Sequence, residues 1–132
     1  MLNNKYVFLV LISLLLVACD SNETKVKEVA QKRWAALIAG DFGSAYDFYS
    51  ESYQNTVDLQ SFRKNTKGVG LWKKADVQAV DCNQKEKGCQ VKVKVTVALK
   101  MRGIPQPVET NSILQETWVN EGLLSDWRYV KK

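Results

Sequence analysis

The sequence predicts an α+β domain in which three amino-terminal helices pack on one face of a four-stranded antiparallel meander. Three observations carry this expectation. Apolar residues recur at helical spacing up to residue 65 and alternate with a period of two from Trp72 onward. Gly40, Gly68, Gly70, Gly103, Pro105, Pro107 and Gly122 punctuate the junctions between these stretches. Helices that all precede the strands leave an antiparallel sheet with its helices gathered on one side as the natural packing.

The chain opens on a leader. Residues 1–5 are singly basic through Lys5, and residues 6–17 (YVFLVLISLLLV) are apolar but for Ser13. That apolar run falls short of the ~20 residues that span a bilayer and matches the hydrophobic core of an export signal. Residues 1–18 are therefore read as a signal peptide, residues 19–24 as a short linker headed by Cys19, and residues 25–132 as a single domain. Extended, the polar stretch 20–24 (DSNET) reaches only ~17 Å, so the domain stays close to whatever holds Cys19.

The first periodic segment is 23–39, with Val26, Val29, Ala30, Trp34, Leu37 and Ile38 on one face and Lys27, Glu28, Gln31 and Lys32 elsewhere. Gly40 stands where a helix stops. Asp41 can cap a second helix in which Phe42, Ala45, Tyr46, Tyr49 and Tyr53 keep the same rhythm. A shorter third helix is expected over 58–65, burying Leu59 and Phe62. Strands are expected at 73–81, 90–101, 109–119 and 123–131. The second is the cleanest: Val91, Val93, Val95, Val97, Leu99 and Met101 share a face, and Gln90, Lys92, Lys94, Thr96, Ala98 and Lys100 share the other. Residues 103–107 read as a loop, because proline cannot donate to a sheet interior. Asn120-Glu121-Gly122 reads as a hairpin turn joining the last two strands.

Cys82 and Cys89 bracket the polar turn between the first two strands. Export would bring them to an oxidising compartment, where cysteines facing each other across a hairpin base can bond. Their spacing is not that of a redox C-x-x-C pair, and the chain has no histidine to complete a metal site. A structural disulfide is expected, with no metal and no cofactor.

The chain carries 19 basic and 14 acidic residues, a formal net charge of +5. This excess favours anionic surfaces such as phospholipid headgroups, whereas export separates the chain from nucleic acid. Trp34, Tyr46, Tyr49, Trp118 and Trp127 are candidates to line a pocket, although aromatic stripes also build cores. Asp47, Asp76, Glu109 and Glu116 are the acids that could turn inward beside Tyr46 or Tyr49, and no pair of them is brought together by sequence. Ile104, on a tip stiffened by two prolines, is a candidate partner contact or a cover for the end of the core. Lys92, Lys94, Lys131 and Lys132 would form a membrane-docking face if they lay together at the linker exit.

Two resemblances sharpen these expectations. Leu16-Val17-Ala18-Cys19 closely resembles the lipobox of bacterial lipoproteins. The resemblance implies acylation of Cys19 and anchoring in the lipid bilayer at the periplasmic face, since several acyl chains hold where one is marginal. Asp20 resembles the inner-membrane retention signal of enterobacterial-type lipoproteins. The alternatives are an outer-membrane destination and a linker role for Asp20. Further along, Trp34…Leu37…Gly40-Asp41-Phe42…Ala45-Tyr46…Phe48…Ser50…Tyr53, with the closing Gly122…Trp127-Arg128-Tyr129, resembles the nuclear-transport-factor-like superfamily. That resemblance implies a cone, with helices across a curved sheet and a pocket between them. The superfamily holds isomerases, dehydratases and polyketide cyclases beside non-catalytic modules, so the fold does not fix the function. The enzymes place carboxylates with tyrosine or histidine inside the cone, and this sequence lacks histidine and has an aliphatic inward face on its best strand. A non-catalytic binding or accessory domain for an envelope protein or small ligand is expected, with a small acid–base lyase or isomerase as the alternative.

Overall fold

The computed structural model describes residues 21–83 and 88–132. The leader, Cys19 and Asp20 lie outside the described residues. Four helices come first: α1 (Asn22–Ala39), α2 (Phe42–Asp47), α3 (Glu51–Thr56) and α4 (Leu59–Asn65). Four strands follow, β1 (Trp72–Asn83), β2 (Gly88–Leu99), β3 (Val108–Asn120) and β4 (Trp127–Val130), antiparallel in the order β1-β2-β3-β4. The architecture is α+β, as the patterning predicts. Among the described residues, no helix is long and apolar enough to cross a membrane.

Each helix boundary has a local chemical cause. The Ser21 hydroxyl accepts from the Thr24 N–H to open α1, and Gly40 closes it at φ 73°, where its N–H reaches the carbonyls of Ala36 and Leu37. Asp41 caps α2, Ser50 caps α3 and Asp58 caps α4, each through its side chain. The single second helix expected from the Phe42-to-Tyr53 rhythm is therefore two. The interruption at residues 48–50 is used by the sheet: Ser50 N–H donates to the Tyr129 carbonyl at 2.9 Å, and Tyr129 N–H to that of Phe48 at 2.7 Å. A short helical break thus covers the open edge of β4.

The helices cover one face of the sheet. Val91, Val93 and Val95 are buried, while Lys92 between them is exposed. They meet Val26, Ala30, Trp34 and Leu37 of α1 in the core, with Phe62, Trp118 and Trp127. The alternation fails at the far end of β2, where Leu99 and Met101 are exposed and Ala98 is buried. At this end the pairing of β1 is irregular between Trp72 and Lys74, and the Ala98 N–H donates to the Leu71 carbonyl at 2.9 Å. A second irregularity lies between Val77 and Ala79 on the edge strand β1. Nearby, the Gln31 side chain donates to the Ala75 carbonyl at 2.6 Å and accepts from the Val77 N–H at 3.2 Å. A polar helix residue thus docks α1 onto β1 by satisfying backbone groups.

The β3–β4 connection is longer than a tight hairpin. Asn120 pairs with Trp127, leaving residues 121–126 as a loop. Its base is built by the Asn120 side chain, which accepts from the N–H groups of Gly122 and Asp126 at 3.2 and 3.0 Å. Cys82 and Cys89 face each other in register and are bonded, with Cα atoms 4.0 Å apart. The pair closes the base of the β1–β2 hairpin, and Cys89 is completely buried.

Candidate functional site

A cleft of about 410 Å³ opens between α1, the residues that follow α4, and the inner face of β3. Its floor is an ion pair. Arg33, on the buried face of α1, donates to Glu116 Oε1 at 2.8 Å, with side-chain exposures of 5% and 4%. Glu116 reaches this position because its register partner is Val91, which places it on the inner face of β3 between Leu114 and Trp118. Two indoles complete its shell: Trp34 Nε1 donates to Oε1 at 2.8 Å and Trp118 Nε1 to Oε2 at 2.9 Å. A carboxylate taken out of water is sustained by this combination of counter-charge and hydrogen bonds.

Arg33 is held as firmly on its other sides. Nη2 donates to the Tyr49 hydroxyl at 2.8 Å. The guanidinium carbon lies 3.9 Å from the Tyr129 ring centroid and 4.8 Å from that of Tyr49, a cation–π cradle. Arg33 Nε is buried without a hydrogen-bond partner. Burial pushes the Tyr129 hydroxyl above the ordinary phenol value, opposed by Arg33 and reinforced by Glu116. Tyr129 therefore stays neutral. At the rim, Lys67 and Lys131 add positive charge, and Trp72 packs edge-on against Trp34 at 5.4 Å between centroids.

Of the residues expected to line a pocket, Trp34 and Tyr49 do so. Tyr46 does not: its hydroxyl donates to the Val57 carbonyl at 2.6 Å, and its ring packs on Phe62 within the helical layer. Trp118 is fully buried and acts on the site through Glu116, and Trp127 is core, bordering a different cleft. Among the four candidate acids, Glu116 turns inward. Asp47 and Glu109 are exposed, and Asp76 pairs with Lys74 at 3.2 Å. Ile104 is 46% exposed on its loop. The lysines do not form one face: Lys92 and Lys94 lie on the outer side of the sheet, whereas Lys131 stands over the Tyr53 ring on the helical side.

Arg33 is the component of the site least conspicuous in the sequence pattern. It continues the Val26, Ala30, Leu37 stripe at helical spacing, and a charge in an apolar slot was the available signal. Chemically, both oxygens of Glu116 already accept strong donors, and its nearest cation is locked against two rings. The arrangement is a rigid polar floor beneath a cationic, aromatic-walled cleft, and no described group of three His, Cys, Asp or Glu residues could hold a metal.

No protein-family model and no curated relative matches the chain. A solved structure of a candidate polyketide cyclase from Xanthomonas campestris pv. campestris is similar at 13% identity and a TM-score of 0.37, covering 85% of this chain and 93% of its own.

Proposed function

We propose that this chain is a membrane-tethered, non-catalytic binding module of the nuclear-transport-factor-like type, working at the periplasmic face. Its site is the Arg33–Glu116 cleft and its ligand a small molecule with an anionic group. The observation that carries the proposal is the composition of the cleft: a floor where Arg33 and Glu116 neutralise each other, and two further cations, Lys67 and Lys131, in a lining whose one carboxylate is Glu116. Such a site attracts an anion electrostatically and offers Trp72 and Leu37 as apolar contact. The tether is acylated Cys19, with Asp20 directing retention in the inner membrane.

Titrating a panel of small organic anions and following thermal stability tests the binding. Stabilisation by a subset, abolished in Lys67→Glu/Lys131→Glu while the unliganded protein stays folded, is the expected result. Failure of every anion to stabilise the protein would reject the ligand class. Mass spectrometry of the amino-terminal peptide tests the tether, which requires an acylated Cys19.

One observation favours a second reading, a lyase- or isomerase-like enzyme: Glu116 is an inward acid linked through Arg33 to Tyr49. Proton transfer would require Glu116 to exchange one of its indole or guanidinium donors for substrate. Turnover lost in Glu116→Gln with ligand affinity retained would establish that reading over simple binding.

A further inference from the structure

Leu123 and Leu124, at the tip of the β3–β4 loop, are fully exposed side by side, with relative exposures of 105% and 92%. Adjacent leucines bared to water at a loop tip give nothing to the core. They are also presented on a built turn rather than a loose one. Besides the Asn120 side-chain bonds at its base, Glu121 N–H donates to the Asp126 carbonyl at 2.9 Å, and the Glu121 carboxylate accepts from the Glu51 N–H at 3.0 Å.

Their position is informative. Lys25, in the first turn of α1, donates to the Ser125 hydroxyl of this loop at 3.2 Å. Asn22 and Leu123 line one cleft with Trp127. The chain enters the domain here, and Cys19 precedes the capping residue Ser21 by two positions, a reach of about 7 Å. From this we propose that the Leu123–Leu124 tip inserts into the bilayer beside the anchor, as a second apolar contact with the same membrane. The inference rests on the tether reading above. It commits to lipid because the leucines flank the point where the anchored segment leaves the fold. Pairing an acyl anchor with a second membrane signal also fixes orientation. The Ile104 loop then lies at the other end of β3, about 40 Å away along a strand of this length.

The chain's own cysteines make the test direct. With Cys19 acylated and Cys82 bonded to Cys89, Leu123→Cys introduces a thiol that can be labelled alone with an environment-sensitive fluorophore. Leu124→Cys serves as an independent second position, and Ile104→Cys as the distal control. The full lipoprotein is reconstituted into vesicles of phosphatidylethanolamine and phosphatidylglycerol, with and without doxyl-labelled lipid. Blue-shifted emission quenched by the doxyl lipid at 123 and 124, with aqueous, unquenched emission at 104, is the expected result. Aqueous emission at 123 and 124 on a protein with acylated Cys19 overturns the insertion and leaves the tether standing. Shielding that depends on protein concentration and ignores the doxyl lipid assigns the tip to a second copy and overturns it equally. An unmodified Cys19 overturns the tether and the insertion with it.

Discussion

Arg33 and Glu116 stand 83 positions apart in sequence and meet at 2.8 Å beneath the cleft, joining α1 to β3. Breaking such a pair from one side strands the remaining charge, which costs more than the pair contributes when intact. Glu116→Gln and Arg33→Met should therefore each lose about 3–5 kcal/mol in urea unfolding. The double variant should lose clearly less than the sum, since neither charge is left alone. Strict additivity would mean that the two side chains act independently.

Gly68 and Gly70 separate two effects that glycine can have. Both have positive φ, 102° and 86°. A Cβ at Gly68 would lie 2.6 Å from the Trp72 ring, whereas one at Gly70 would meet nothing within 4 Å. Gly70→Ala should cost only the left-handed backbone penalty, about 1–2 kcal/mol. Gly68→Ala should cost more and displace Trp72 from the cleft wall, visible as a change in near-ultraviolet circular dichroism that Gly70→Ala lacks.

The order of elements was legible in the sequence because periodicity reports which side of each element meets the core. The boundaries of α1 and the inward set Val91, Val93 and Val95 follow from it directly. The division into α2 and α3 did not, because Tyr49 and Tyr53 keep facing inward across the break. Ser50, with Glu51 after it, was the cap that marked it. The cleft was half legible. Its aromatic walls announce themselves by size, but Arg33 and Glu116 sit in apolar slots on two elements, and they become neighbours only when α1 packs on the face to which the β2–β3 register turns Glu116. Opposite charges occupying inward positions on different elements were the clue, and pairing them requires tertiary structure.

Acid should weaken the helical layer through two caps. Side-chain and backbone hydrogen bonds from Ser44 hold Asp41 below its ordinary carboxylate range, and Ser61 does the same for Asp58, mainly through its backbone N–H. With folded values below the unfolded ones, their stabilisation is complete above the unfolded carboxylate range. It disappears as pH falls through the folded values. Replacing both by asparagine, which caps without titrating, should flatten the acid limb of a stability–pH curve measured downward from about pH 6.

Opening the hairpin base is the next test. Cys82→Ala/Cys89→Ala should still fold and lose about 2–3 kcal/mol, the value expected for releasing a short loop. Non-reducing peptide mapping of the wild type should recover the two cysteines as one linked fragment.

Ile104 tests recognition at the far end of the sheet. It is 46% exposed and outside the core cluster. If Ile104 is a partner contact, Ile104→Asp leaves the unfolding midpoint unchanged while abolishing crosslinks from this loop to that partner. A lowered midpoint with crosslinks preserved would make the residue a cover for the sheet end.

The closing strand β4 has only four residues, yet it carries Trp127 and Tyr129 and is pinned on one side by β3 and on the other by residues 48–50. A chain that emerges amino terminus first therefore cannot seal its core until β4 has followed β3. Until then the rings of Tyr49 and Trp118 lack Tyr129, their neighbour on β4. That delay is written into the topology: the strand that closes the core follows every other described element in chain order, so the domain stays open until β4 docks.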